Sequence, residues 1–127
     1  MSHLQFFDYP GFGERSKKDV NYSQAVRIDN RIEISGQGGW DPTTEKFPAA
    51  LSDEIDQAFA NVNLALQTAG GKGWERVYKI RVYFAVRGED DWPQYAEHLV
   101  RNLKKYCPAS DARVKNMNDA DEVHAEP

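Results

Sequence analysis

The sequence predicts an α+β fold in which a mixed β-sheet carries two helices on one face. Two short alternating segments separated by two residues predict a β-hairpin, and one long alternating segment predicts a further strand. Two segments with apolar residues at helical spacing predict amphipathic helices, which bury their apolar faces against such a sheet. A chain of 127 residues is expected to form a single domain, residues 1–127.

The predicted hairpin joins segments 24–28 and 31–35 through Asp29 and Asn30. Both turn residues tolerate positive φ, as a type I′ turn requires. The residues before the hairpin, 1–20, contain proline and glycine and show no sustained periodicity, so they are expected to form an irregular lead-in.

The two helices have recognisable ends. The first is expected to start at Ser52, as its N-cap, and to stop before Gly70, since glycine commonly follows a helix. The second is expected to start near Asp91, with Gln94 completing a capping box, and to stop before Pro108.

The strongest predicted strand, 77–86, lies between the two helices. Its alternation assigns Tyr78 and Ile80 to one face and Lys79 and Arg81 to the other. Two helices cover only one face of the sheet, so the opposite face favours burial against another copy of the chain.

Composition excludes several classes of function. A net charge of −4 without a basic run makes a nucleic-acid partner improbable. One cysteine and three widely separated histidines predict no disulfide and no metal site. The absence of a signal peptide and of a membrane-spanning segment predicts no membrane partner and a cytoplasmic protein, with a mitochondrial location left open.

Five short segments occur in the order and at the spacings typical of one protein family. They are Asn21-Tyr22-Ser23-Gln24-Ala25-Val26, Ile34-Ser35-Gly36-Gln37, Asp41-Pro42-Thr43-Thr44, Phe59-Ala60-Asn61-Val62, and Ala69-Gly70-Gly71 followed by Val77-Tyr78-Lys79-Ile80-Arg81-Val82-Tyr83. Over about residues 20–108 the chain therefore resembles the Rid family, also called YjgF or UK114.

The resemblance implies a fold and an activity. Rid proteins have a chorismate-mutase-like (bacillus type) fold and form homotrimers with a small-molecule cleft at each subunit interface. Their usual activity is the hydrolysis of imines and enamines such as 2-aminoacrylate to a 2-oxo acid and ammonia, without a cofactor. The expected partner is therefore a small carboxylate-bearing metabolite.

Four residues are the candidates for substrate binding. The ring of Tyr22 could form a wall of the cleft, or it could be packed at a strand start. Ser35 and Gly36 fall at a strand end, where a hydroxyl and a bare backbone can approach a ligand, although Gly36 could serve only its turn. Gln37 is the fourth and weakest candidate.

Arg113 is the candidate catalytic residue, as an anchor for the substrate carboxylate. The planar guanidinium pairs bidentately with a carboxylate, and Arg113 is the only arginine after the second helix. A surface pair with Asp111 is the alternative. Cys107 is interpreted as structural, because no histidine is placed to activate its thiol.

The C-terminal segment departs from the family. The family closes with two more strands, the second rich in alternating isoleucine and glutamate, and residues 109–127 lack this alternation, so they are predicted to be a divergent loop or disordered tail. In the family, a glutamate on the last strand helps to position the water that attacks the imine, and Glu122 or Glu126 could take its place here. Ala96 stands where many members have an asparagine that lines the site.

Three hypotheses about function remain. An imine hydrolase acting on small 2-imino acids is favoured. A non-catalytic trimer that binds a metabolite or a protein is the alternative, motivated by the departures above. Ribonuclease activity is the least favoured, because the charge is acidic and no histidine pair is present.

Overall fold

The computed structural model describes residues 3–83, 92–106, 114–116 and 123–125. These residues form six strands and three α-helices, so the predicted α+β fold is confirmed. In chain order the elements are β1 (Gln5–Phe7), α1 (Phe12–Val20), β2 (Ala25–Ile28), β3 (Arg31–Ile34), α2 (Leu51–Thr68), β4 (Val77–Arg81), α3 (Trp92–Tyr106), β5 (Val114–Asn116) and β6 (Val123–Ala125), with a 3₁₀ turn (Gly73–Arg76) before β4.

The strands form one mixed sheet in the order β1-β2-β3-β6-β4-β5. β2 and β3 pair antiparallel from Ala25 opposite Ile34 to Ile28 opposite Arg31, which confirms the predicted hairpin. Of the two turn residues only Asp29 has positive φ, at 52°, so the turn is not the type I′ turn that was expected.

The C-terminal segment contributes two strands that the sequence did not predict. β6 lies between β3 and β4 and pairs antiparallel with both, while β5 pairs parallel with β4. The prediction that residues 109–127 form a loop or disordered tail is therefore wrong for 114–116 and 123–125. A strand paired on both sides is held by backbone hydrogen bonds, which need no alternation of β-branched side chains.

The lead-in predicted to be irregular, residues 1–20, contains β1 and α1. The buried positions of α1 are Gly13 and Ser16, so its inner face consists of small residues and leaves no apolar periodicity in the sequence. The helix follows Gly11, which has a φ of 79°. The first residue of the helix donates its N–H to the carbonyl of Pro42 at 2.8 Å, which fastens α1 to the loop before α2.

A β-bulge interrupts β4 at Tyr78. Val77 and Lys79 pair with consecutive residues of β6, so Tyr78 is an extra residue on this strand. The bulge breaks the alternation, with the result that Val77 and Ile80 are both buried while Tyr78 is exposed. The prediction that Tyr78 and Ile80 share a face is therefore wrong. The predicted continuation of the strand, 84–86, lies outside the described residues.

The helix ends agree with the sequence more closely than the helix starts. α2 ends before Gly70 and α3 ends before Pro108, as predicted. The N-cap of α2 is Ala50, without a side-chain hydrogen bond, so Ser52 lies inside the helix and its assignment as N-cap is wrong. The proposed cap of the second helix, Asp91, lies outside the described residues.

The core lies between the sheet and the helices α2 and α3. Ile32 of β3, Leu66 of α2 and Leu99 of α3 are almost fully buried there. Trp74 stacks on Phe59 at a ring-centroid distance of 5.0 Å, and it donates its indole N–H to the Phe59 carbonyl at 2.8 Å. Within the described residues, none of the helices has the length and hydropathy needed to cross a membrane.

Candidate functional site

A cavity of 520 Å³ lies on the face of β2 and β3 opposite to α2. Ala25, Ile32 and Ile34 are buried on the helix side of these strands, and strand alternation places Val26 and Glu33 on the other face. We call this cavity the strand-face cavity. Its lining includes Phe6, Lys17, Tyr22, Ser23, Glu33 and Ser35.

Tyr22 reaches the strand-face cavity directly after α1. Asn21 closes that helix in the left-handed conformation, with φ 58° and ψ 41°, and its N–H donates to the carbonyl of Lys17 at 3.1 Å. The chain then enters β2 through Tyr22, whose side chain stays 39% exposed. This exposure favours the interpretation of Tyr22 as a cleft wall over that of a tyrosine packed in the core.

Ser35 lines the same cavity at the end of β3. Its hydroxyl donates to two carbonyl oxygens, of Ser23 at 3.1 Å and of Gln24 at 3.2 Å. The single hydroxyl hydrogen is shared between these acceptors, so the lone pairs of the oxygen are what Ser35 offers to a ligand. Ser35 is therefore suited to accept a hydrogen bond from an N–H group of a bound molecule.

Gln37 points away from the strand-face cavity and is 5% exposed. Its amide nitrogen donates to the side-chain oxygen of Gln24 at 2.8 Å and to the carbonyl of Ser35 at 3.1 Å. Its amide oxygen accepts from the hydroxyl of Tyr9 at 2.9 Å. Both amide hydrogens are thus engaged, so we expect Gln37 to support the site rather than to contact a ligand. Gly36, which lies between Ser35 and Gln37, is exposed.

The bonds of Gln37 belong to a buried polar network. Tyr9 accepts from the indole N–H of Trp40 at 3.1 Å while it donates to Gln37. Burial raises the pKa of the Tyr9 phenol to about 12, although the hydrogen bond from Trp40 lowers this pKa by a smaller amount. Asn61 of α2 is fully buried and donates to the carbonyls of Gly38 and Trp40 at 2.8 and 2.7 Å, which holds the glycine-rich loop against the helix.

The glycines of this loop allow that close approach. A Cβ at Gly39 would collide with the carbonyl oxygen of Glu54 in the first turn of α2. The backbone of a helix turn cannot move aside as a side chain would, so only glycine fits. This contact accounts for the glycine at position 39.

Two charged residues of the strand-face cavity were missed by the sequence analysis. Glu33 lies two residues before Ser35 and therefore shares its face of β3. A carboxylate at that spacing was a signal that could have been used. Lys17 reaches the cavity from α1, and no sequence signal pointed to it because that helix was not predicted.

A second cavity, of 300 Å³, lies between β4, α2 and α3. Its lining is mainly apolar and includes Ile55, Phe59 and Leu99, together with Gln37 from the glycine-rich loop. Of the four predicted substrate-binding residues it therefore contains only Gln37, whose amide is already engaged. We regard the strand-face cavity as the candidate functional site.

Several predicted features fall outside the described residues: Arg113, its alternative partner Asp111, Cys107, Glu122 and Glu126. Ala96 is half-buried on α3 and lines neither cavity. No cluster of histidine, cysteine and carboxylate side chains suited to a metal ion occurs in the part of the chain that the structure describes.

Comparison with known protein families decides the classification. The model of the endoribonuclease L-PSP family matches residues 13–123. The chain belongs to this family. The match spans α1 and most of the C-terminal segment, and it confirms the resemblance to Rid, or YjgF, proteins that the sequence motifs carried.

Named relatives of this L-PSP family member are imine deaminases and RutC family proteins. The chain is 34% identical over 89 residues to a 2-iminobutanoate/2-iminopropanoate deaminase of Dermatophagoides farinae, covering 69% of this chain and 67% of the relative. It is 39% identical over 62 residues to a RutC family protein of Aquifex aeolicus, covering 49% of each. The match thus spans only about half of the Aquifex protein.

The fold of the L-PSP family is also evident from solved structures. The crystal structure of yeast Mmf1 matches with a TM-score of 0.70 over 97% of this chain and 98% of that chain, at 19% identity. At this identity the similarity supports the fold alone. It confirms the Rid-like α+β architecture over nearly the whole length.

Proposed function

We propose that this protein hydrolyses small 2-imino acids to 2-oxo acids and ammonia in the strand-face cavity. The observation that carries the proposal is the meeting of Tyr22 and Ser35 with the carboxylate of Glu33 in one cavity of an L-PSP family chain. The names of the deaminase relatives support the same chemistry. No cofactor is needed, because water is the only co-reactant.

The reaction requires little machinery. The oxygen of a water molecule forms a bond to the imine carbon while the C=N double bond becomes a single bond, which gives a carbinolamine. The C–N bond then breaks, ammonia leaves, and the carbinolamine hydroxyl loses its proton to become the ketone oxygen. The protein must hold the substrate, orient the water and move protons between oxygen and nitrogen.

The residues of the cavity suit these tasks. Ser35 can accept a hydrogen bond from the iminium N–H, because its own hydrogen is engaged by backbone carbonyls. The carboxylate of Glu33 can accept a proton from the attacking water. It forms an ion pair with the guanidinium of Arg31 at 3.3 Å. The ring of Tyr22 forms a wall of the cavity.

We also propose that the active form is a homotrimer in which a neighbouring subunit covers the strand-face cavity. Phe6 is 55% exposed at its rim, and Tyr22 beside it is also exposed. Apolar side chains at this position favour contact with a second copy. Size-exclusion chromatography with light scattering should give three times the mass of the chain; a monomeric mass would contradict this part of the proposal.

A carboxylate anchor at Arg113 and a cytoplasmic location stay predictions.

An oxidase-coupled assay tests the activity. An amino-acid oxidase generates 2-imino acids in the cuvette, semicarbazide traps them, and the protein should lower the amount of trapped imine. The Glu33→Gln variant should lose about 100-fold in kcat, as is typical when a general base is removed. The matched control is Glu97→Gln on the exposed surface of α3, which should keep full activity.

The outcomes separate the hypotheses. Full activity of Glu33→Gln would keep the hydrolase and remove Glu33 from the mechanism. No acceleration by folded wild-type protein would reject hydrolysis, and binding of the product 2-oxobutanoate in the same preparation would then favour a non-catalytic metabolite binder.

A further inference from the structure

Lys17 occupies a fixed position at the wall of the strand-face cavity. It lies in the last turn of α1, and its carbonyl accepts the N–H of Asn21 at 3.1 Å, the bond that closes the helix. The backbone of Lys17 is therefore held by the same turn that delivers Tyr22 to the cavity. Both residues line that cavity.

The ammonium group of Lys17 is held by neutral neighbours. It donates to the hydroxyl oxygen of Ser23 at 3.2 Å and lies 5.5 Å from the ring centroid of Phe6. Among the residues that the structure describes, no carboxylate lies within ion-pair distance of it, whereas Arg15 and Arg101 both have carboxylate partners. An ammonium has three hydrogens, so at least one remains for a ligand.

Ser23 is hydrogen-bonded both to Lys17 and to Ser35, the proposed acceptor of the iminium N–H. Its hydroxyl oxygen accepts from Lys17, and its carbonyl oxygen accepts from the hydroxyl of Ser35. Lys17 and Ser35 thus both contact Ser23, and all three residues line the same cavity. In a 2-imino acid the carboxylate and the imine carbon are directly bonded, so the substrate presents an anion and an N–H donor side by side, and the cavity offers a cation and an acceptor that both contact Ser23.

We propose that Lys17 binds the carboxylate of the substrate and thereby selects 2-imino acids over uncharged imines. This inference rests on the proposed hydrolase function. It assigns to α1, a helix with no apolar signature, a direct part in substrate binding. It also gives the cavity a carboxylate-binding cation within the described residues, independent of Arg113.

The test compares Lys17→Met with Lys18→Met. Both changes remove one positive charge from consecutive residues of α1, but Lys18 does not line the cavity. In the oxidase-coupled assay Lys17→Met should raise KM about tenfold or more, the usual effect of losing a hydrogen bond to a charged group, with kcat changed less than about twofold. Lys18→Met should leave both constants unchanged, and Lys17→Arg, which keeps the charge, should restore most of the affinity.

Calorimetric titration with 2-oxobutanoate, the stable product analogue of the substrate, separates this inference from the function it rests on. Binding that weakens tenfold in Lys17→Met supports the anchor even if no variant hydrolyses imines. Hydrolysis with an unchanged KM in Lys17→Met overturns the anchor and leaves the hydrolase. An equal loss in Lys18→Met, a KM effect found only in Arg113→Ala, or no binding of 2-oxobutanoate to the folded wild type also overturns it.

Discussion

Ser35 and Gln37 are two residues apart, yet they belong to regions with different physical roles. The Ser35 hydroxyl borders the strand-face cavity, and its lone pairs are available to a ligand. The Gln37 amide is buried, and both of its hydrogens are engaged by other groups of the protein. One short motif therefore supplies a candidate binding group and a structural support. A motif shared with a family does not by itself tell which of these roles a residue has.

The difference between the two regions can be tested by substitution. A change in the buried polar network should lower stability because it leaves buried donors and acceptors without partners. A change in the strand-face cavity should lower activity with a smaller effect on stability, because water can replace the lost bonds. The expected effects are largest in the network.

Substitution of Gln37 should have the largest effect. Gln37→Ala removes three hydrogen bonds and leaves the buried hydroxyl hydrogen of Tyr9 without an acceptor and the buried side-chain oxygen of Gln24 without the donor Gln37. We expect a loss of about 3 kcal/mol in the free energy of unfolding, measured by urea denaturation. Gln67→Ala, on the exposed face of α2, is the matched control and should cost less than about 0.5 kcal/mol. Equal losses in both variants would contradict the structural role of Gln37.

The sequence predicted those parts of the fold in which burial leaves a pattern. The hairpin, the ends of α2 and α3, and the start of β4 at Val77 all follow from apolar alternation, helical spacing or glycine and proline. α1 was missed because Gly13 and Ser16 form its buried face. β5 and β6 were missed because each is only three residues long and is held by backbone pairing rather than by a side-chain pattern, β6 between two strands and β5 at the edge of the sheet.

The candidate site was predicted in part, for a related reason. Tyr22 and Ser35 do meet in one cavity, as residues at neighbouring strand ends should. Lys17 could not be foreseen without α1, whereas Glu33 could have been found from its spacing to Ser35. The bulge at Tyr78 had no sequence signal, since it depends on the register of β6 against β4.

The ionisation of Tyr9 offers a second test of the buried polar network. Its pKa is raised to about 12 by burial, compared with about 10 in an unfolded chain. Below pH 10 the phenol is neutral in both states and its contribution to stability is complete. Between pH 10 and 12 the unfolded chain ionises first, so stability falls, by about 2 to 3 kcal/mol in total.

Urea denaturation at several pH values from 9 to 12 measures this loss. Lysines also lose their charge in this range, so the decisive quantity is the difference between wild type and Tyr9→Phe. The variant should be less stable at pH 9, because Gln37 and Trp40 lose a partner, but its stability should fall less steeply above pH 10. Parallel pH profiles of the two proteins would show that Tyr9 does not keep its proton in the folded state.

Substitution of Ser35 should have the smallest effect on stability and a clear one on activity. Ser35→Ala removes the acceptor proposed for the iminium N–H and should lower kcat/KM about tenfold, equivalent to about 1.4 kcal/mol. The free energy of unfolding should fall by no more than about 1 kcal/mol, because Ser23 lines a cavity that water can enter and the carbonyl of Gln24 still accepts the backbone N–H of Ser35. The matched control is Ser52→Ala, which removes a hydroxyl from a helix position without a capping bond, and neither activity nor stability should change measurably. If Ser35→Ala instead lost 3 kcal/mol and kept its activity, Ser35 would belong with Gln37 to the structural region, and the distinction between the two regions would fail.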